Sequence, residues 1–180
     1  MQEVIEDHDY SVTHSPPGEG APFERLHVLL GVDSGERPLS LQLYFINDAE
    51  LAVGGGENQD DTLDAILLQF ALLFPTPVAA GNSPGVMEYL MHINRILPVG
   101  AFGVSPPDGI IYYQYNLALP EHDVDENVLI EVVQMSDFFV NRFLENIGKV
   151  SVGILTAESA LQQMRDEGLF PPPIGVQPSA

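Results

Sequence analysis

The clearest match to a catalytic motif is the segment GNSPG at Gly81–Gly85, which fits the G-x-S-x-G pattern of serine hydrolases. In that pattern the backbone N–H of the residue after the serine helps to stabilise the oxyanion formed during acyl transfer. Here that residue is Pro84, which has no N–H. We therefore interpret Ser83 as the cap of a helix with Pro84 at its first position, and we predict no nucleophile here.

A second candidate is cation binding by the segment HDVDEN. Asp123, Asp125 and Asn127 occupy the first, third and fifth positions of a calcium-binding loop. The sixth position, which requires glycine, is Val128, and the twelfth, which requires a bidentate glutamate, is Gln134. Acids at the start of a helix explain the cluster better. Weak adventitious cation binding stays open as the alternative.

The histidines and the triple glycine do not form recognisable sites. His8 and His14 stand among acids in a segment without periodicity, where nothing would fix a zinc or nickel ion. His27 and His92 occur singly in apolar patterns, which is typical of hydrogen-bonded structural residues. The glycines at 54–56 lack the lysine and the hydroxyl residue of a phosphate loop. We predict no metal site, no cofactor and no catalytic residues.

Carboxylates and tyrosines also occur in suggestive clusters. The acidic pairs at 60–61 and 166–167 lie in polar stretches, where nothing would bury them and shift a pKa toward acid–base catalysis. Tyr112, Tyr113 and Tyr115 could stack on nucleic-acid bases, but no basic residues accompany them. Packing in a core or an interface is therefore the favoured interpretation.

Acidic residues greatly outnumber basic residues in this chain. The chain has 26 Asp and Glu against 6 Lys and Arg, which gives a formal net charge of -20. Because affinity for phosphate backbones comes from clustered Lys and Arg, we expect no nucleic-acid partner. Anionic membrane surfaces should repel the chain for the same reason. The charge either steers a basic protein partner toward the chain or serves only solubility, and both interpretations stay open.

Composition also limits the compartment and the covalent chemistry. The chain has no cysteine, which excludes disulfides, thiolate metal sites and cysteine nucleophiles. The N-terminal MQEVIEDHDY has acids where a signal peptide has positive charge, and the apolar runs are shorter than a membrane span. We therefore expect a cytoplasmic protein with no membrane partner. Its 180 residues, 45% of them apolar, predict one domain with a well-covered core.

The first part of the chain predicts a hairpin preceded by a mobile segment. Residues 1–22 show no sustained period and form the expected mobile N-terminal segment, with a short strand near Tyr10–Thr13. Leu26, Val28, Leu30 and Val32 then alternate with other residues. A second alternating run at 39–45 follows the turn-rich DSGERP, which predicts a hairpin with one buried face.

Between this hairpin and Pro75 the pattern changes. A short strand is expected at 50–53, followed by an acidic loop. From Leu63 to Phe74 the chain is apolar almost throughout, with an i, i+3, i+4, i+7 stripe that predicts a helix buried on several sides. Asp61 or Thr62 would cap this helix.

The rest of the chain predicts helices around a second hairpin. A helix should run from Ser83 to the stop at Pro98, followed by the strands VGAFGV and IIYYQYNLAL around the turn SPPDG. A long helix capped by Asp123 or Asp125 should end near Gly148. Residues 156–180 are expected to hold a short helix and a Pro-rich tail. Strand pairs separated by helices predict an α+β domain at 23–155, an antiparallel sheet packed against helices.

Three short patterns between Met87 and Gly148 carry a family resemblance. They are a helix ending in an Asn and an apolar pair, a Pro-x-Gly-x-Phe strand entry, and a strand ending in Leu-x-Leu-Pro. The residues are Asn94, Ile96, Leu97, Pro98, Gly100, Phe102 and Leu117–Pro120. With these patterns the segment resembles the YbjN-domain family, described as sensory transduction regulators with a type III secretion chaperone-like fold.

The resemblance implies a fold and a class of behaviour. Members of that fold have a curved antiparallel sheet flanked by helices and are often dimeric, and the secretion chaperones hold extended segments of client proteins. The resemblance implies no catalytic residues. The first half of this chain departs from the pattern, because a hairpin and an apolar helix at 63–74 are predicted in place of a leading helix.

We therefore expect a non-enzymatic protein-binding module, a homodimer acting as a chaperone-like adaptor or regulator on a protein client. Apolar helix faces beyond the needs of one core would form the protein interface. The residues are Leu68, Leu72, Met87 and Met91. The alternative is a hydrolase or small-ligand-binding protein with a pocket between sheet and helices, which needs a buried pair of titratable groups. A structural subunit of a larger assembly is a third interpretation.

Overall fold

Six strands form one antiparallel sheet accompanied by four helices in the computed structural model, which describes residues 1–18, 23–46, 66–106, 108–119 and 123–169. The strands are β1 (Ser11–Ser15), β2 (Arg25–Val32), β3 (Pro38–Ile46), β4 (Ile66–Leu73), β5 (Ala101–Val104) and β6 (Ile111–Leu119). The helices are α1 (Gln2–Glu6), α2 (Ser83–Asn94), α3 (Glu126–Ser151) and α4 (Ala157–Asp166). The expected α+β class is confirmed.

The strand order is β1-β2-β3-β4-β6-β5, and every neighbouring pair is antiparallel. Because side chains alternate across a strand, one face of the sheet collects apolar residues under the helices, among them Leu41, Phe70 and Tyr113. Polar side chains occur on the other face, where Gln69 Nε2 donates to Asn116 Oδ1 at 2.8 Å. The core therefore lies between one face of the sheet and the helices.

Both predicted hairpins are present. β2 pairs with β3, and β5 pairs with β6. The first hairpin contains a bulge, because the register shifts between Leu29 and Gly31. An extra residue in one strand interrupts the alternation, which leaves Val32 exposed although its place in the pattern predicts burial.

The helix predicted at 63–74 is wrong, because residues 66–73 form the strand β4. β4 lies between β3 and β6 and pairs with both, so its backbone bonds are satisfied on each edge. Leu68, Phe70 and Leu72 are fully buried beneath the helices. A short, nearly continuous apolar run fits a helical stripe and a central strand equally well, and periodicity cannot separate them.

The first residues of the chain take part in the sheet. α1 buries Ile5, and β1 pairs with β2, which confirms the short strand expected near residue 10. The Tyr10 hydroxyl donates to Asp137 Oδ2 on α3 at 3.0 Å, and burial together with that carboxylate raises the pKa of Tyr10 to about 12. Tyr10 therefore stays a neutral donor. The predicted domain boundaries remain a prediction. β1 and β2 pair with each other although the boundary predicted after residue 22 lies between them.

The helix ends differ from their predicted positions by a few residues. α2 begins at Ser83 itself, with Asn82 at the N-cap, and it ends at Asn94 before reaching Pro98. Asp125 caps α3 by accepting two backbone N–H groups, which settles the choice between the two candidate acids. α3 continues through Gly148 to Ser151, so glycine does not stop it. None of the described helices is both long and apolar enough to cross a membrane.

Several predictions fall outside the described ranges. They are the strand at 50–53, the glycines at 54–56, the acids Asp60 and Asp61, the start of the apolar segment at 63–65 with its cap Asp61 or Thr62, and the Pro-rich tail from 170.

Candidate functional site

An open groove of about 470 Å³ lies along the outer side of α3, beside the chain that connects α2 to β5. Its lining residues are Pro98, Glu131, Gln134, Met135, Phe138 and Phe139. Four of these six side chains are apolar, and none comes from a strand. Apolar surface that is concave and open to water is typical of a site that binds another molecule.

The groove exists because α3 carries apolar residues on two sides. The inner side of the helix is buried, as the amphipathic pattern requires. On the outer side Phe138 is 62% exposed, and Met135 is half-buried beside it. An aromatic ring that is exposed to water at mid-helix adds little buried apolar area to the core of its own chain. Its position favours contact with another molecule.

A chain of ring contacts connects this exposed aromatic residue to the core. Phe138 meets Phe139 edge-on with centroids 5.1 Å apart, and Phe139 stacks on Phe143 at 6.5 Å. Phe143 in turn meets Phe102 of β5 edge-on at 6.4 Å. Because these inner rings are packed, the floor of the groove is held in place before any partner arrives.

The α2–β5 connection that supplies Pro98 is also fixed by the core. The Asn94 side chain donates to the carbonyl of Phe102 and accepts from its N–H, both at 2.8 Å. Gly100 has a φ of 69°, and a Cβ there would overlap the ring of Tyr113. The Tyr113 hydroxyl donates to the Val99 carbonyl at 3.2 Å. These contacts give a structural reason for the Asn and Pro-x-Gly-x-Phe pattern in the sequence.

Charge at the groove is sparse and negative. Glu131 is the ionisable residue among the six that line it. Shifted pKa values occur elsewhere: Arg37 lowers the pKa of Asp33 in the β2–β3 turn, and burial raises that of Tyr89 to about 12. A groove with one carboxylate and no second titratable group is not equipped for acid–base catalysis. The groove therefore does not support the alternative of a hydrolase with a pocket between sheet and helices.

The interface residues predicted from the sequence fall into two sets. Leu68 and Leu72 are fully buried in β4 within the single chain, because this segment is a central strand and its apolar side faces the helices. They therefore offer no surface to a partner. Met87 and Met91 lie four residues apart on α2 and are 55% and 69% exposed. The protein interface itself stays a prediction.

The groove was not found by sequence reasoning, although a signal was present. Phe139 belongs to the core stripe predicted for the long helix, whereas Phe138, 100° further round, does not. Met135 lies three residues after Val132 and four before Phe139, so it fits the spacing of that stripe. An apolar residue that departs from the main stripe of an amphipathic helix indicates a second contact surface, and Phe138 met that criterion.

The other sequence candidates have ordinary structural surroundings. Ser83 lies in the first turn of α2 beside Pro84. The His14 ring lies 2.6 Å from the Glu24 carboxylate, whereas the His8 ring meets the Val4 carbonyl at 2.9 Å, so the two histidines have separate partners. Among the described residues no three His, Asp or Glu side chains come together as metal ligands would.

Comparison with known proteins places the chain in a family. A family model named YbjN, described as "Putative bacterial sensory transduction regulator", matches residues 51–148, more than half of the chain. The chain belongs to the YbjN family. A search of curated proteins found no match.

The matched segment of this YbjN protein contains β4, α2, β5, β6 and most of α3. All six residues that line the groove lie within it. The groove therefore lies within the part of this chain that the family model matches. The strands β1–β3 and the helix α4 lie outside that part.

Proposed function

We propose that this YbjN protein is a non-enzymatic, cytoplasmic protein-binding module, a chaperone-like adaptor or regulator that holds an extended segment of a client protein in the α3 groove. The exposure of Phe138 in a preformed apolar groove supports this proposal most directly. Family membership agrees with a regulatory role. Aromatic residues fixed in a groove commonly supply most of the energy of such interfaces.

The electrostatics define the chemistry of the client. Glu131 lies at the groove, and the whole chain carries a formal charge of -20. A client segment with apolar side chains for the groove and Lys or Arg beside them would be attracted over a long range. Acidic segments and nucleic acids would be repelled by the same field.

Replacing Phe138 with Glu should release the client. The substitution removes the exposed ring and adds a carboxylate to the groove, and loss of a hot-spot aromatic residue weakens binding by about tenfold or more. The measurement is quantitative capture of proteins from the native host by tagged full-length chain, compared with capture by the Phe138→Glu variant.

Ile154→Glu is the matched control, because Ile154 is 77% exposed and does not line the groove. It adds the same charge to the same chain and should leave capture unchanged. Equal capture by the wild-type chain and the Phe138→Glu variant would contradict a client site in the α3 groove.

We also propose that two copies of the chain associate through the outer face of α2. The exposed Met87 and Met91 support this, since flexible thioether side chains suit apolar contact surfaces. The Met91→Glu variant would put two carboxylates into a two-fold contact and should halve the mass measured by light scattering. A wild-type chain with the mass of one copy at micromolar concentration would contradict the dimer.

A further inference from the structure

We propose that the face of the sheet turned away from the helices binds the same face of a second copy of the chain. The middle row of this open face consists of successive cross-strand partners on β2, β3, β4, β6 and β5, namely His27, Gln42, Ala71, Gln114 and Ala101. The described helices pack on the opposite face, where the Tyr113 hydroxyl lies 3.3 Å from Ser136 Oγ of α3. This contact is separate from the client site in the α3 groove and does not depend on it.

Apolar side chains are exposed on the open face. Leu29 of β2 is 43% exposed and Leu73 of β4 is 55% exposed, and each lies two residues from the middle row. Tyr112 of β6 is the cross-strand partner of Leu73. A Cβ at Gly103 would overlap the Tyr112 ring, so this ring lies against the backbone of β5. Exposed apolar groups on such a broad surface are typical of a contact with another protein.

Charge is almost absent from the strands of this acidic chain. The chain has 26 Asp and Glu, and none of them lies in the six described strands. Arg25, the first residue of β2, is the one Lys or Arg in those strands. Few charged residues together with exposed tyrosine and leucine are characteristic of the core of a protein–protein interface.

The polar groups at the centre of the open face bond to one another. Gln69 accepts from the Tyr44 hydroxyl and donates to Asn116 Oδ1 at 2.8 Å. Arg25 donates to Gln42 Oε1 at 3.1 Å, and its guanidinium group lies 5.3 Å from the centroid of the Tyr44 ring. Burial of a polar group costs little when its hydrogen bond is kept. A second copy could therefore exclude water from these strands without breaking the bonds between their side chains.

The size of the open face is sufficient for a weak dimer contact. Six strands at a spacing of about 4.8 Å are about 24 Å across, and strands of eight or nine residues, such as β3 and β4, are about 26 Å long or more. The area is therefore about 600 Å² per copy and about 1,200 Å² for the pair, which is the lower limit for a specific interface. Two twisted sheets can pack in this way with their strands about 30° apart.

The charge distribution favours a second copy over a basic protein on the open face. The acids of the described residues lie on helices and connections, and α3 alone carries Glu126, Glu131, Asp137 and Glu145. A basic protein would be attracted to those acids and not to the uncharged strands. Two copies joined through their open faces would keep the two helix layers about 30 Å apart, because packed layers lie about 10 Å from each other. That distance is several times the Debye length of about 8 Å at physiological salt.

Light scattering of the Met91→Glu chain tests this contact separately from the α2 contact proposed above. We expect the mean mass to rise from one copy toward two between about 1 and 100 μM, because the interface is near the lower size limit. Gln114→Glu adds a carboxylate to the middle row without changing the shape of the side chain. In the Met91→Glu chain it should weaken association by about tenfold or more, because like charges would face each other.

Ile154→Glu is the matched control, because Ile154 is 77% exposed and lies outside the strands. It adds the same charge and should leave association unchanged. A Met91→Glu chain that stays a single copy at about 100 μM would overturn the proposal. Equal association of the chains with Gln114→Glu and with Ile154→Glu would also overturn it.

Salt should strengthen this association, because screening reduces the repulsion between two chains that each carry a formal charge of -20. We expect a gain of about twofold or more between about 50 and 500 mM NaCl. Association that weakens over this range would overturn the proposal, because it would indicate a contact made by charge pairs.

The absence of cysteine allows a single introduced thiol to report where two copies meet. The Ala71→Cys variant places a thiol in the middle row, near the axis of a two-fold contact. Ile154→Cys is the control, because its position is more exposed but lies outside the open face. We expect disulfides between chains to form about tenfold faster at residue 71, because the contact raises the local thiol concentration. Equal or faster trapping at residue 154 would overturn the sheet-to-sheet contact.

Discussion

Leu72→Glu is expected to unfold the chain. Leu72 has no exposed surface, lies in the middle of the sheet and packs beneath the helices as the cross-strand neighbour of Tyr113. A carboxylate at this position has no partner to compensate its lost hydration, and such substitutions cost more than about 4 kcal/mol, a large part of a domain's stability. Far-UV circular dichroism and urea unfolding of the purified variant would measure the loss.

Leu73→Glu is the matched control for this prediction. Leu73 is the next residue of β4, points to the opposite side of the sheet and is 55% exposed. Its replacement should change the free energy of unfolding by about 0.5 kcal/mol or less, as is usual for surface positions. Similar effects of the two substitutions would contradict the alternating burial of a strand at this position.

Gly100→Ala is expected to destabilise the fold by about 3 kcal/mol, because two effects add at this residue. Its φ of 69° lies in the left-handed region that side chains other than glycine rarely adopt, and the new Cβ would overlap the buried Tyr113 ring. Moving that ring would also disturb the hydroxyl contacts with Val99 and Ser136, which lie at 3.2 and 3.3 Å. The measurement is the midpoint and slope of urea unfolding.

Gly148→Ala is a control that should raise the free energy of unfolding, whereas Gly100→Ala should lower it. Gly148 lies inside α3, and nothing stands within 4 Å of the position that a Cβ would take. Alanine favours a helix over glycine by about 0.5–1 kcal/mol, so this variant should be more stable than the wild-type chain. A Gly100→Ala chain as stable as wild type would show that the Pro-x-Gly-x-Phe connection adapts without strain.

The hairpins and the long helix could be predicted because their signals are local. Alternating residues on both sides of a turn define β2 and β3, and a repeating apolar stripe with a capping acid defines α3. The family pattern around Asn94 and Gly100 was also visible in the sequence. The structural reason for this pattern was not visible there, because it depends on contacts with other elements. Asn94 forms hydrogen bonds with β5, and Gly100 leaves space for a ring on β6.

The position of β4 could not be predicted in the same way. Its apolar run fits a helix and a strand alike, and the choice depends on pairing with β3 and β6. Pairing with β6 joins residues far apart in the chain, such as Leu72 and Tyr113. The error carried over to the interface, because Leu68 and Leu72 were assigned to a helix surface and instead lie in the core.

The groove shows the same division between local and distant effects. Phe138 could be recognised as an apolar residue outside the main stripe of a helix, but nothing local indicates that Pro98 lies beside it and Met135 in one groove. Likewise, nothing local indicates that Glu167, directly after α4, pairs with Arg142 of α3.

Charge, the lack of cysteine, the class of fold and most of its elements follow from residue types and their short-range spacing. Those features depend on propensity, turn chemistry and periodicity, which act over a few residues. The burial of β4, the recruitment of β1 into the sheet and the exposure of Phe138 were decided by the folded chain. Burial is a property of surfaces brought together from distant segments, so the sequence pattern limits the choices and long-range packing selects among them.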